Sequence, residues 1–309
     1  MKTFYWLLKR EYWEHRGGFL WAPIIAGGIL LLLQLLLVGV MGSLFARHGG
    51  GYNVNDIVEK MAKGNWDDAG NLFELCILMP MIVLNAVLGF VVMFYGLGTI
   101  YNERRDRSIL FWKSLPISDS RTVLSKLVSA VVVAPIITSF ICVGLGIVSA
   151  LIYAIPLGLG GADFGKLLAH THIVSMLLGL LALVPLYALW ALPAVGWFML
   201  CSAWSRSVPF LWGVAVPLIA ALVLWMFNQM APFDIPVGWI CQNIIFRVLV
   251  SVFPVSLLIA SGHSQGSDPV AIILSNYAML GSLKLWLGAA AGAAMIATAI
   301  WLRRTRDDA

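Results

Sequence analysis

The fold is decided by residues 17–46, GGFLWAPIIAGGILLLLQLLLVGVMGSLFA, whose 30 positions contain no Asp, Glu, Lys or Arg. A helix of about 20 apolar residues crosses the hydrocarbon core of a bilayer, so this stretch is long enough to span a membrane. Other uncharged windows occur at 75–102, 127–162, 167–205, 207–233 and 285–302. Each of these windows is also long enough, the last one only just.

The overall composition excludes a soluble protein with a single apolar core. Of the 309 residues, 61% are hydrophobic and only 11% are charged, whereas an ordinary soluble domain has about 25% charged residues. We therefore predict an all-α integral membrane protein with one transmembrane domain over 1–309. Its six predicted transmembrane helices are about 20–43, 77–99, 127–155, 174–201, 207–229 and 283–302.

The basic residues predict the orientation of these spans. In the six-span arrangement, 14 of the 20 Lys and Arg residues fall on one side, in segments 1–19, 100–126, 202–206 and 303–309. Basic loops face the cytoplasm, so we expect a multi-pass protein of the cell inner membrane with both termini cytoplasmic. This distribution also explains the net charge of +5 without any nucleic-acid partner.

The first 18 residues are predicted to form an amphipathic helix that lies on the inner surface of the membrane. The apolar side of the helical wheel consists of Phe4, Tyr5, Leu7, Leu8 and Tyr12. Trp6, Arg10 and Trp13 lie on the charged side, where aromatic and basic side chains meet lipid headgroups. Because both tryptophans stand among charges, we expect this helix to contact both the membrane lipids and a cytosolic partner.

Residues 237–261 are apolar, but Arg247 and Pro254 interrupt them. A charge at the centre of a bilayer is costly, and proline breaks helical hydrogen bonding. We predict short re-entrant helices in the outer leaflet before the sixth span. The alternative is one kinked span in which Arg247 is paired or reaches the interface.

The most informative polar segment is the inner loop 101–126, YNERRDRSILFWKSLPISDSRTVLSK. It begins with charges, continues with an apolar patch, and ends in a helix that Ser118 or Asp119 can cap by accepting hydrogen bonds from free N–H groups. One interpretation is a basic loop that lies on anionic lipid. The apolar patch between charges favours the other interpretation, a docking surface for a cytosolic partner.

This loop resembles the cytoplasmic loop of ABC-2 type permeases, the membrane subunits of ATP-driven exporters. The matching residues are Glu103, Arg104, Ser108, Leu110, Leu115, Pro116, Ser118, Val123, Leu124 and Lys126. Arg107 departs from the family, which often has glycine there. The plan of the chain is also similar, with an inner-face N-terminal segment, six spans, this loop between the second and third, and re-entrant helices before the sixth.

The resemblance implies that the loop forms a coupling helix, seated in a groove of a separate ATP-binding cassette subunit. The residues that it assigns to ATPase coupling are Glu103, Arg104, Arg107, Ser108, Leu110, Phe111, Leu115, Pro116 and Ser118. ATP and Mg²⁺ would bind that partner, and a second permease subunit, as a homodimer or heterodimer, would complete the exporter. The uncharged spans favour an amphipathic or hydrophobic substrate.

Catalytic, cofactor and metal sites are not predicted in this chain, so we expect it not to be an enzyme. Residues 160–166 satisfy GxxxxGK, but Leu167 replaces the Ser or Thr of a phosphate-binding loop. His170 and His172 are too few ligands for a metal site. The predicted spans lack Asp and Glu, which disfavours a proton-coupled antiporter. The GxxxG pattern from Gly288 to Gly292 favours close helix packing within the chain.

A second function is compatible with the same residues. A membrane scaffold or assembly factor would also present a basic loop with an apolar patch, and it would dock a cytosolic partner without transport. Association with an ATPase distinguishes the two functions.

Overall fold

A computed structural model describes residues 2–47, 66–106, 118–159, 165, 170–230, 237–260 and 269–305. Every regular element in these ranges is helical, and none of their residues lies in a β-strand. The all-α class predicted from the sequence is confirmed.

The α-helices are numbered in chain order. They are α1 (Lys2–Glu14), α2 (Ala22–Arg47), α3 (Trp66–Arg105), α4 (Asp119–Val128), α5 (Ala134–Leu159), α6 (Ile173–Ala182), α7 (Val184–Trp204), α8 (Val216–Met230), α9 (Val237–Ile240), α10 (Phe246–Val250), α11 (Val255–Ala260), α12 (Pro269–Ala278) and α13 (Leu283–Thr305). Turns of π-helix at Gly17–Trp21, Ser129–Val133, Leu211–Ala215 and Cys241–Ile245 join several of them into longer rods.

Within the described residues, six helical stretches are long and apolar enough to cross a membrane. They are Gly17–Val40, Phe73–Arg105, Asp119–Ile155, Val184–Trp204, Leu211–Gln229 and Leu283–Thr305. Each contains most of one predicted span, so the structure confirms the number of spans.

The predicted fourth span is divided at Leu183 into α6 and α7. Pro185 has no backbone N–H, so regular helical hydrogen bonding cannot continue through this point. Only α7 is of spanning length. The shorter α6 packs beside α12, where Gly179 faces Ile273.

Prolines explain three of the π-helical turns. Pro23, Pro135 and Pro217 each lie two residues after the end of such a turn. A proline deprives the carbonyl four residues earlier of its α-helical donor. A π-turn lets a carbonyl bond the N–H five residues ahead, as the Ser129 carbonyl does with the N–H of Ala134, and so restores backbone bonding inside an apolar environment.

The centre of the bundle is α7, which packs against both α3 and α13. Its backbone touches that of α13 because glycines face each other. A Cβ atom on Gly196 would lie 2.6 Å from the Gly292 carbonyl oxygen, and one on Gly292 would lie 2.5 Å from the Leu192 carbonyl oxygen. Gly292 of the GxxxG pattern thus packs within the chain, as the sequence predicts.

Gln34 holds α2 to its neighbours at mid-span. Its Nε2 donates to the Cys76 carbonyl of α3 at 3.3 Å, and its Oε1 accepts from Ser149 Oγ of α5 at 2.9 Å. Most of the other described side chains of α2, over residues 22–40, are exposed or half-buried on the surface of the bundle. This polar contact therefore fixes the rotation of α2 about its own axis.

Residues 237–260 form the short helices α9, α10 and α11 instead of one long rod. The turn at 251–254 separates α10 from α11, and Pro254 stands in that turn. None of these helices is of spanning length, which agrees with six spans and not seven.

Gly292→Ala should destabilise the protein by about 1–3 kcal/mol, because the added methyl group meets the α7 backbone, which cannot give way. Gly28→Ala is the matched control, since a Cβ atom there meets nothing within 4 Å. Thermal unfolding in neutral detergent measures both variants. Equal melting temperatures for the two would contradict the close contact of α7 and α13.

Candidate functional site

One end of the bundle carries a group of charged side chains that are largely withdrawn from solvent. We call it the ionic cluster, and its members are Arg10, Glu11, Glu103, Asp119, Lys126 and Arg303. They come from α1, the end of α3, α4 and the end of α13. The N-terminal helix and the end of the last helix therefore lie at the same end of the molecule.

Glu11 ties α1 to the bundle. Its carboxylate lies 3.1 Å from Lys126 Nζ and 2.7 Å from Arg10 Nη2, and Tyr95 Oη donates to it at 2.9 Å. Its side chain is fully buried, and Leu7, one turn earlier, is also buried. The face of α1 that carries Leu7 and Glu11 is thus the face that packs on the bundle.

Glu103 and Lys126 form an ion pair across the two ends of the loop. Glu103 Oε1 lies 3.1 Å from Lys126 Nζ, and Lys126 is 2% exposed. Glu103 lies in the last turn of α3, and Lys126 lies in α4. The pair therefore holds the start of the loop against the helix that follows it.

Arg303 connects α13 to the same point. Its Nη1 lies 3.1 Å from Glu103 Oε2, and its Nε lies 3.2 Å from Asp119 Oδ1. The next residue, Arg304, donates from Nη2 to Ser120 Oγ at 2.9 Å. The last span is thus joined to both sides of the loop.

Arg104 reaches the end of α7. Its Nη2 donates to the carbonyl oxygens of Ser202 and Ser205 at 2.8 and 2.7 Å. These carbonyls belong to the C-terminal turn of α7, where helix carbonyls lack internal partners. Arg104 thus adds the central helix to those held at the base of the loop.

The charges of the ionic cluster balance, with three acids against three bases. Burial of a charge costs several kcal/mol unless a partner compensates for it. Charge-assisted hydrogen bonds such as those on Glu11 are among the stronger ones in proteins. The cluster is therefore stable only when all the segments that supply it are in place.

The pKa of Glu11 shows the balance of these effects. Burial by itself raises it, but the charges of Lys126 and Arg10 and the hydrogen bonds from Lys126 and Tyr95 outweigh burial. The net effect is a pKa below the ordinary value. Glu11 is therefore ionised in the folded protein at neutral pH.

The structure places some of the predicted coupling residues in this region. Glu103 belongs to the ionic cluster, Arg104 is bonded to α7, and Ser118 precedes α4 on the exposed surface. The remaining coupling residues fall outside the described part of the chain. They are Arg107, Ser108, Leu110, Phe111, Leu115 and Pro116.

The predicted side-chain cap of α4 is not formed. Ser118 occupies the N-cap position, but its side chain makes no capping hydrogen bond; its carbonyl accepts from the N–H groups of Arg121 and Thr122. Asp119 is turned instead toward Arg303. An ion pair with a buried guanidinium outcompetes a cap that water can replace.

The outward face of α1 carries the predicted interfacial tryptophans. Trp6 is 60% and Trp13 is 57% exposed. Lys9 Nζ lies 5.0 Å from the centre of the Trp6 ring, and Arg16 Cζ lies 5.8 Å from that of Trp13. Tyr5, which the helical wheel places on the apolar side, is exposed.

Arg10 does not share this outward face. It pairs with Glu11, Glu14 and Glu103 and is only 23% exposed. The expected lipid-facing role of Arg10 is therefore replaced by membership of the ionic cluster. Trp6 and Trp13 keep free surfaces that can meet lipid or a partner.

Sequence reasoning missed Glu11, and it counted Lys126 and Arg303 only toward orientation and the loop motif. One signal was present, because Glu11 lies four residues after Leu7, on the same face of α1. An acid on the apolar face of a helix requires a buried cation. The identity of that cation depends on tertiary packing between segments more than 100 residues apart.

A groove of about 510 Å³ lies beside the ionic cluster, between the junction of α1 with α2 and the side of α3. Polar groups of Glu14 and His15 line one part of it, and Phe90 and Phe94 line another. Both phenylalanines are about half exposed. The groove thus combines a polar end with an apolar, aromatic wall.

Within the described part of the chain, no three His, Cys, Asp or Glu side chains are grouped so that they could hold a metal ion. His170 and His172 are exposed, and the N–H of His172 donates to the Glu74 carboxylate. Residues 160–164 and 166–169, with the GxxxxGK pattern, lie outside the described residues.

No family model, curated protein or solved structure matches this chain.

Lys126→Met should destabilise the protein by about 3–5 kcal/mol, because Glu11 and Glu103 then share a site that has lost its central cation. The double variant Glu11→Gln, Lys126→Met should recover part of this loss. Arg105→Gln, which breaks an exposed pair with Asp106, is the control and should change little. Chemical unfolding of the purified protein measures all three. A Lys126→Met variant as stable as Arg105→Gln would show that the cluster does not hold the helices.

Acid should weaken the attachment of α1. A carboxylate whose pKa is lower in the folded than in the unfolded protein stabilises the fold above its unfolded pKa, and this contribution is lost as the pH falls through the folded value. For Glu11 the loss therefore occurs below about pH 4.5, the ordinary value. Melting temperatures from pH 7 to pH 3 should fall less steeply in Glu11→Gln than in the wild type. Glu14→Gln, which changes a more exposed carboxylate of the same helix, should show the same pH dependence of the melting temperature as the wild type. Identical profiles for all three proteins would exclude Glu11 as the source of this dependence.

Proposed function

We propose that the chain is the membrane-spanning permease subunit of an ATP-binding cassette exporter of the ABC-2 type. It moves an amphipathic or hydrophobic substrate across the cell inner membrane. A separate cytoplasmic subunit binds ATP and Mg²⁺ and hydrolyses the nucleotide. The present chain supplies the path and the contact with that subunit, and it is not itself an enzyme.

The observation that carries this proposal is the ion pair between Glu103 and Lys126. These two residues flank the loop to which the resemblance to ABC-2 permeases assigns ATPase coupling, and the distance between them at the base of the loop is 3.1 Å. Because the ion pair holds the two ends of the loop together, these ends cannot move apart when the loop is displaced. A push on the loop is then delivered to the helices on both sides.

The attachments around that pair define which helices would move. Glu103 ends α3, Lys126 lies in α4 at the start of the third span, Arg303 ends α13, and Glu11 brings α1. Rigid-body displacement of packed helices is a common way to switch a protein between two states. ATP binding would favour one of these states through its different contacts with the partner.

The end of the molecule that carries the ionic cluster also indicates how the chain would be oriented in the membrane. The ionic cluster and most of the basic residues that the structure describes lie at the end that would face the cytoplasm. The tryptophan and basic side chains on the outward face of α1 would lie among lipid headgroups at that surface.

We include a second permease subunit in the proposal because the apolar cavity inside this chain is too small for an amphiphile. The apolar cavity between α3, α5, α7 and α11 measures about 80 Å³, whereas pockets for drug-sized ligands measure about 300–1,000 Å³. A path wide enough for an amphiphile would therefore form between two subunits. The groove beside the ionic cluster, with its polar end and aromatic wall, suits the collection of such a molecule from the inner leaflet.

Phe111→Ala and Leu115→Ala should uncouple the partner ATPase. The sequence places both side chains on the docking patch, so their truncation removes apolar contact with the partner. The tagged full chain is purified from membranes of its own host in neutral detergent and placed in lipid vesicles. Mg²⁺-dependent ATP hydrolysis by the associated subunit and the amount of that subunit are then measured. Leu283→Ala, which truncates an exposed leucine at the start of α13, away from the loop, is the control and should keep both at the wild-type level.

Two results would count against different parts of the proposal. The first contradicts the exporter function, and the second contradicts only the site of ATPase coupling. Purification of the chain without any ATPase would favour the membrane scaffold. Full hydrolysis and full association in both loop variants would retain the exporter but move the coupling contact elsewhere.

A further inference from the structure

Arg247 in α10 is a buried cation that does not belong to the ionic cluster. Its contacts are with other residues. Only 9% of the residue is exposed. Its Cζ lies 3.9 Å from the centre of the Trp190 ring of α7. A Cβ atom on Gly288 of α13 would come within 2.7 Å of its Nη2. The guanidinium is thus held between a tryptophan of α7 and the glycine of α13.

The guanidinium makes no hydrogen bond or ion pair with any residue that the structure describes. Its Nε, Nη1 and Nη2 are all buried and without an acceptor. The face of Trp190 balances part of the charge through a cation–π contact, but it provides no acceptor for the five N–H groups. A charged group at membrane depth that has no ionic or hydrogen-bonding partner among the described residues is characteristic of a functional site.

Ser251 adds a second unpartnered group on the same side of this segment. Its N–H donates to the Arg247 carbonyl at 3.3 Å, so it lies one helical turn after Arg247. It is 1% exposed, and its Oγ has no hydrogen-bond partner in the described structure. Two donors of hydrogen bonds therefore stand on successive turns without an acceptor.

The Trp190 ring under Arg247 belongs to an apolar cluster. Leu186, Trp190, Leu257 and Leu285 form a buried cluster that includes the ring on which Arg247 lies. Trp190 Nε1 donates to Ser256 Oγ at 2.9 Å, and this bond fixes the ring plane. The neighbourhood combines a cation and a hydroxyl with an apolar wall.

We propose that Arg247 and Ser251 bind the anionic group of an amphiphile, a phosphate or a carboxylate, while its apolar part lies against the Trp190 cluster. A guanidinium donates to two oxygens of such a group at once, and a serine hydroxyl adds a third hydrogen bond. The donors are closed off from solvent in this structure. A ligand can therefore reach them only when one of the packed helices around Arg247 moves.

Binding is tested without ATP and without a partner subunit, so the result does not depend on the proposed export function. The purified full chain in dodecyl maltoside is titrated with dodecyl phosphate, with laurate, or with inorganic phosphate. Thermal unfolding is followed at each concentration. The wild type should be stabilised by both anionic amphiphiles, and inorganic phosphate should have a much smaller effect. The relative affinity of the first two probes distinguishes a phosphate headgroup from a carboxylate.

Arg247→Met should lower the apparent affinity for both anionic amphiphiles by about tenfold or more, since a hydrogen bond to a charged group contributes about 1.5–3 kcal/mol. Lys284→Gln removes an exposed lysine from the start of α13 and is the matched control, which should keep the wild-type affinity. Should Arg247→Met fail to fold, Gly288→Ala serves instead, because its methyl group displaces the guanidinium and keeps the charge.

Three results would overturn the proposal. One is equal stabilisation of the wild type and Arg247→Met, or of the wild type and Gly288→Ala where that variant is used. Another is a loss of affinity in Lys284→Gln as large as that in Arg247→Met, which would indicate general attraction of anions to the surface. The third is stabilisation by inorganic phosphate equal to that by dodecyl phosphate, which would exclude an amphiphile.

Discussion

Buried ion pairs at one end of an apolar bundle are the constraint on which the arrangement of this protein depends. Glu11, Glu103 and Lys126 cannot leave the cluster singly, because each would leave an opposite charge in a place that water does not reach. Apolar packing alone gives little preference among rotations of membrane helices, since lipid tails are as apolar as the helix surfaces. The main effect of the cluster is therefore to select one arrangement of the helix ends. Its contribution to the net stability of the fold is smaller.

This constraint has a mechanical consequence. The loop from 101 to 126 leaves the bundle at Glu103 and returns through Lys126, and these residues are in contact. Arg104 extends the attachment to the end of α7, which is also the helix that packs most closely against α13. A partner that moves the loop would thus move a body made of α3, α4, α7 and α13. By contrast, the exposed α8 and the short helices from 237 to 260 are outside the set that the cluster joins.

The sequence alone predicts the helical class and the six spans, because both follow from where charge is absent. Residues 17–46 need no tertiary information to be assigned to a membrane. The break at Leu183 is harder to predict, since Pro185 is equally compatible with a kinked span. The pairing of Glu11 with Lys126 was beyond prediction, because 115 residues separate them and nothing local specifies which cation approaches which acid. The same holds for Arg247, whose position against Trp190 depends on how α10 packs against α7.

We propose that this chain works as one of a pair of permeases bound to ATP-binding subunits. Native mass spectrometry of the complex, released from its own membrane in mild neutral detergent, tests this assembly most directly. We expect a mass that corresponds to two permease chains, either two copies of this chain or one copy with a related chain, and two ATP-binding cassette subunits. A single chain, or an assembly that contains no ATPase, would contradict it.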